Sequence, residues 1–119
     1  MEATVFKKEE LDSFTGTEQY YKHWLGFNYT DGVQYLAEHA KCYWLLDAIG
    51  SYQREAKVKD ESFQAWTLEV SNAKKGILTM RADSDLPVIV SQEMDYTDFP
   101  FDSIELWLID GVLILPSEY

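Results

Sequence analysis

The hydrophobic period of these 119 residues changes once, at the charged stretch 55–61. Before it, apolar side chains recur every three or four positions; after it, they alternate. A helix and a strand cannot share a period, so the chain must build its helices first and its sheet second.

In the first part, Val33, Leu36, Ala37 and Ala40 stand at i, i+3, i+4 and i+7 behind the capping pair Thr30-Asp31. This spacing predicts an amphipathic helix. Trp44, Leu45, Ala48, Ile49 and Tyr52 resume the pattern over 43–54, with Lys41-Cys42 either separating two helices or shifting the face of one. Upstream, Thr17 reads as a cap and Tyr20, His23 and Trp24 share one helical face, while 8–14 reads as a short helical turn.

In the second part, Trp66, Leu68 and Val70 alternate with Ala65, Thr67 and Glu69, and residues 72–76 supply turn chemistry before the strand 77–82. Asp83-Ser84-Asp85 and Pro87 break the chain ahead of a strand from Val88, and Ile104, Leu106 and Leu108 mark another. Asp110-Gly111 fits a two-residue type I′ turn into 112–115. The order predicts an α+β fold, with two or three N-terminal helices packed on one face of a four- to five-stranded antiparallel meander. One domain is expected over 1–119, helical over 1–55 and a sheet over 63–116.

Charge bears on function. Residues 82–119 hold nine acids and no Lys, Arg or His, a net of −9 out of −11 for the chain. Such a chain repels nucleic acid and anionic membranes, so direct binding of either is not expected and a charged partner should be basic. The 18 aromatic residues, four Trp, eight Tyr and six Phe, separate it from a disordered acidic tail. The single cysteine cannot form an internal disulfide, the start is charged where a signal peptide is apolar, and no apolar run approaches 18 residues, so the expected location is cytoplasmic.

Four segments, Phe14-Thr15-Gly16-Thr17-Glu18-Gln19-Tyr20-Tyr21, Tyr29-Thr30-Asp31-Gly32-Val33-Gln34-Tyr35-Leu36-Ala37, Cys42-Tyr43-Trp44-Leu45-Leu46-Asp47-Ala48-Ile49 and Asp110-Gly111-Val112-Leu113-Ile114-Leu115-Pro116-Ser117-Glu118-Tyr119, resemble a family of small bacterial proteins classed as a domain of unknown function. The resemblance implies a small bacterial protein of cyanobacteria or mobile elements. It implies no activity and no catalytic residues.

The residues themselves are open to three chemistries. Cys42 with His39 at i, i+3, or with His23 and Asp47, has the composition of a nucleophilic site, but no nucleophile turn or oxyanion motif accompanies it, and a small core cysteine is the plainer reading. Carboxylates at Asp83 and Asp85, or at Asp95, Asp98 and Asp102, lack the ligand spacing of a calcium loop, and two His and one Cys fall short of a structural zinc set. No catalytic residue, metal or cofactor is therefore expected.

The third chemistry is a negatively charged binding face made of Asp83, Asp85, Glu93, Asp95, Asp98, Asp102, Glu105 and Asp110, with Tyr96 and Trp107 as candidate apolar anchors. On that reading the chain is a non-enzymatic acidic protein that mimics nucleic acid. Its partner is the basic surface of a nucleic-acid-binding protein, and it inhibits a host complex such as a CRISPR or restriction effector. The ordinary alternative for such acidity is solubility. Two rivals stand beside it: a small enzyme or ligand-binding domain using an aromatic cleft between helices and sheet, built from Tyr20, Tyr21, Trp24, Tyr43, Trp44 and Tyr52; and a homo-oligomeric structural protein sealed along 112–115 or the strand beginning at Val88. The segment 116–119 fits either a clamp against the helices or a peptide offered to a partner.

Overall fold

The structure is a computed structural model and describes residues 6–83 and 85–119. The expectation drawn from the first five residues, and the Ser84 part of the 83–85 turn, lie outside the described residues.

The fold is α+β. Among the described residues, seven strands form one mixed sheet: β1 Tyr20–Lys22, β2 Asn28–Thr30, β3 Phe63–Val70, β4 Gly76–Arg81, β5 Val88–Met94, β6 Ser103–Ile109 and β7 Val112–Ile114. Their order is β1-β2-β7-β6-β3-β4-β5. Five come from the expected meander region and run antiparallel. The other two correct the sequence reading, because β1 and β2 precede the helices and β2 joins β7 in parallel.

The helix expected over 17–24 does not form, for a local reason. The N–H groups of Glu18 and Gln19 donate to the Asp31 carboxylate, at 3.0 and 3.3 Å, instead of entering a helical ladder. Tyr20 and Tyr21, aromatic and suited to a pleated strand, then pair with Thr30 and Tyr29. Gly26, at φ 110°, closes the hairpin.

Helix α1, Asp31–His39, starts where Thr30 accepts a hydrogen bond from the Val33 N–H. It stops at Lys41, whose left-handed φ of 54° lets the Cys42 N–H reach the Ala37 carbonyl at 3.0 Å. The break is thus a helix end, and α2, Tyr43–Tyr52, is a second helix. A single further turn, α3 Ala56–Lys59, forms within the charged linker.

The core lies between α1, α2 and one face of the sheet. Val33, Leu36, Leu45, Leu46 and Ile49 from the helices meet Trp66, Leu68, Leu78, Met80 and Leu106 from the strands, all buried. Full burial of each such side chain contributes about 1.5–3 kcal/mol. Trp66 needs a polar partner at this depth and has one: its indole N–H donates to the Gln64 side-chain oxygen at 2.9 Å. Gln64 and Gln53 exchange two amide hydrogen bonds, at 2.8 and 2.9 Å, which ties α2 to β3.

The Asp110-Gly111 turn has φ of 48° and 84°, both positive as a type I′ turn requires. Residues 116–119 clamp the helical layer rather than extend from it. Glu118 accepts hydrogen bonds from the Thr30 hydroxyl (2.6 Å), the Leu115 N–H (2.9 Å) and the Gly32 N–H (3.3 Å). Among the described residues no helix is long and apolar enough to cross a membrane.

Candidate interaction surface

With α1 and α2 on one side, strand alternation leaves the opposite face of the sheet without a covering layer among the described residues. Pairing places Phe63, Ala65, Thr67 and Glu69 of β3 in line with Glu105 and Trp107 of β6 and with Ile77 and Thr79 of β4. The face is apolar toward β7, acidic at the end where Glu69 and Glu93 stand, and carries one exposed base, Arg81, opposite Ala65 and Val88. Phe63 packs on Trp107 at 5.3 Å between ring centroids, and the exposed Tyr119 ring meets Trp107 edge-on at 5.5 Å. The Trp107 indole N–H donates to the Glu105 carboxylate, so one anchor and one acid form a unit.

The eight expected acids do not make one stripe. Asp83 and Asp85, in the β4–β5 connection, and Asp110, in the β6–β7 turn, lie at one end of the sheet. Glu93, Asp95, Asp98 and Asp102 belong to the other end, and Glu105 sits opposite Thr67 in a middle row. Asp98 turns toward the helices, lining a groove with Trp44 and Tyr96. Of the two candidate anchors, Tyr96 is exposed and Trp107 half-buried.

Only Glu93 and Glu105 of the eight belong to the uncovered face. A third carboxylate joins them there: Glu69, exposed on β3, faces Ser103 on one side and Ile77 on the other, and Ile77 faces Glu93. Strand spacing puts the Glu69 and Glu93 backbones about 10 Å apart. Glu69 lies outside the base-free stretch, but its phase was the signal, because it alternates with the core residues Trp66 and Leu68. Among the described residues the ion pairs are His23–Asp47 and Lys57–Glu55, and neither involves Glu69, Glu93 or Glu105.

The nucleophilic arrangement does not assemble. Cys42 is fully buried, and burial, with the charge of Asp98 adding to it, pushes its thiol up to about 12. His39 stacks on Tyr35 at 3.9 Å and bonds the Tyr35 carbonyl, so it serves its own helix. His23 is buried with both ring nitrogens occupied: Nδ1 accepts from the Leu25 N–H at 3.0 Å, which leaves Nε2–H to donate to Asp47 at 2.8 Å. The pair braces the β1–β2 hairpin against α2. Among the described residues no three His, Cys, Asp or Glu side chains converge as a metal site would need.

A family model for a family of unknown function, DUF6876, matches residues 6–119. The chain belongs to that family. Comparison with curated proteins and with solved structures returns no match. Family membership therefore brings no site residues, and the surface has to be read from its own geometry.

The aromatic residues expected to line a helix–sheet cleft are dispersed. Tyr52 packs on buried Trp66 at 5.6 Å inside the core, Tyr21 stacks on Tyr29, and Trp24 projects from the hairpin. The groove of about 280 Å³ between α2 and the end of β5 takes Trp44 alone of these six. A cavity of about 400 Å³ exists elsewhere, between the 25–27 hairpin, residues 59–62 and the Asp110-Gly111 turn. Its most buried polar lining residue, Gln64, spends its amide on Gln53, Trp66 and backbone carbonyls.

Proposed function

We propose that the chain is a non-enzymatic binding protein that engages a basic protein surface through the uncovered face of its sheet. Glu69, Glu93 and Glu105 supply the charge, and Trp107, backed by Phe63 and Tyr119, supplies the apolar anchor that affinity requires. The observation that carries the reading is three carboxylates on one rigid face, outside every ion pair of the described residues, beside a half-buried tryptophan. The strands hold the backbones of the three glutamates at fixed spacing, and that preorganisation favours mimicry of a phosphate array.

In the bacterial and mobile-element setting that the sequence resemblance implies, the natural target is a host nucleic-acid-binding complex such as a CRISPR or restriction effector, inhibited by occupation of its groove. Such a partner is cytoplasmic.

The test is charge reversal on the face alone. Glu69→Lys, Glu93→Lys and Glu105→Lys together should abolish capture of a nucleic-acid-binding partner from bacterial lysate and leave the thermal midpoint of the chain within a few degrees of the parent. Undiminished capture by the folded triple variant would refute the proposal.

A further inference from the structure

The sheet has two edges, and they are not alike. β1 is three residues long and held to α1 through Asp31, so it presents almost no ladder. β5 presents seven residues and, among the described residues, pairs with β4 alone. Alternate residues of β5 therefore turn their backbone N–H and C=O groups away from the sheet. The usual edge protections are few: β5 contains no proline and no lysine. One irregularity is present. Met80 faces Val90 while Arg81 faces Val88, so Ile89 is an extra residue and the regular ladder is 90–94.

The surroundings of this edge select its occupant. Apolar side chains stand open at both ends, Leu86 at 49% and Val88 at 39% exposure before the ladder and Tyr96 at 70% after it. Past the last ladder residue, a groove of about 280 Å³ runs between Trp44, Met94, Tyr96 and Asp98. The charges along β5 and its flanks are of one sign: Asp85 before it, Glu93 within it, Asp95 and Asp98 after it, none of them in the described ion pairs. The bases of this half of the sheet, Arg81 on β4 and Lys74 and Lys75 in the β3–β4 turn, belong to neighbouring elements.

We infer that β5 is a docking strand for an extended, basic segment of a partner protein, which joins the sheet as an eighth strand. The inference rests on the reading of a basic partner and names the part of that partner which binds. Backbone pairing supplies affinity without regard to sequence, and the flanking acids select lysine and arginine. One cationic side chain enters the groove beside Asp98 and the Trp44 and Tyr96 rings. A second copy of this chain is a poor occupant. Antiparallel self-pairing sets the start of one β5 beside the end of the other, bringing Asp85 of one copy toward Asp95 of the next, and parallel pairing sets each acid against itself.

The probe is a nine-residue peptide alternating lysine and valine, compared with the same peptide N-methylated throughout, which keeps the charge and cannot donate. Added to the full chain, the first should slow amide hydrogen exchange across 90–94 by about fivefold or more at saturation, because exchange requires the edge to open. The methylated form should bind about tenfold more weakly. Asp85→Lys, Asp95→Lys and Asp98→Lys together should weaken the unmethylated peptide at least fivefold more than Glu69→Lys with Glu105→Lys does; circular dichroism checks that each variant is folded. Equal binding of the two peptides, binding that leaves 90–94 exchange unchanged, or no binding at millimolar peptide would each overturn the docking strand. If the Glu69 and Glu105 variant alone loses the peptide, the edge assignment fails and the basic-partner reading survives. If neither set of reversals matters, both fail.

Discussion

Replacing Glu118 with alanine probes how the last turn of the chain holds both the helical layer and the binding face. The Glu118 carboxylate accepts three hydrogen bonds, two of them short, and one donor is the N–H of Gly32 in the first turn of α1. That N–H is one of the helix-terminal groups with no partner inside the helix, and a carboxylate there also meets the positive end of the helix dipole. The approach is close, since a Cβ on Gly32 would lie 2.6 Å from Leu115 Cδ1 and 2.8 Å from Glu118 Oε1. Hydrogen bonds to a charged acceptor contribute roughly 1.5–3 kcal/mol each, but the bond at 3.3 Å is weak and Glu118 is half exposed to water, so the total loss should be about 2–4 kcal/mol. Glu118→Gln keeps an acceptor and loses the charge, and should cost about 1 kcal/mol. Urea denaturation followed by tryptophan fluorescence gives both values, with the slope unchanged if only the native state is affected. The Trp107 indole resonance should shift in the alanine variant as the Tyr119 ring leaves it. A cost below about 0.5 kcal/mol for Glu118→Ala would refute the clamp, since no three-bond carboxylate site is that cheap to lose.

Two further outcomes concern the hydrogen bonds of Gln64 and of Asp31. Gln64→Leu leaves the Trp66 indole N–H and the Gln53 amide without partners in the core, and should destabilise the chain by about 2–4 kcal/mol in the same urea assay. The Asp31 carboxyl is held below its ordinary 3.8, first by the Glu18 N–H and further by Tyr21, Gln19 and Thr17. A depressed folded-state value means that its contribution to stability is complete above pH 3.8 and disappears as pH falls through the folded value. Asp31→Asn should therefore lower the thermal midpoint at pH 7 and converge with the parent in strong acid, which a pH series of melts would check.

Much of this architecture was legible because local physics and the final structure agree. The Thr30-Asp31 cap, the period over 33–40 and the Asp110-Gly111 turn each specify their element without help from distant residues, and α1, α2 and the β6–β7 hairpin appear where the sequence places them. The helix expected over 17–24 is absent, and 25–29 carry no local signal, because the fate of these residues is decided elsewhere. Asp31 takes the N–H groups that a helix would use, and Asn28 and Tyr29 find their ladder partners in Val112 and Leu113, more than 80 positions away. No pattern within a dozen residues encodes a parallel pairing of that span. The same pairing puts 112–115 inside the sheet, with β2 on one side of β7 and β6 on the other, so it cannot seal an oligomer along an open edge. Two-residue alternation did give the side on which Glu93 and Glu105 project. The division of the other acids between the two ends of the sheet depends on strand order, which alternation does not carry, and Glu69 stands before the base-free stretch, so the charge asymmetry does not mark it.

The most direct measurement is a competition at two ionic strengths. A nucleic-acid-binding protein captured by the immobilised chain is challenged with duplex DNA at about 50 mM and again at about 200 mM salt. If the acidic face occupies that protein's nucleic-acid groove, DNA should displace the chain at both salts, and raised salt alone should weaken capture at least tenfold, as screening of exposed charges requires. Capture that resists both DNA and salt would contradict the account and move the binding site off the acidic face.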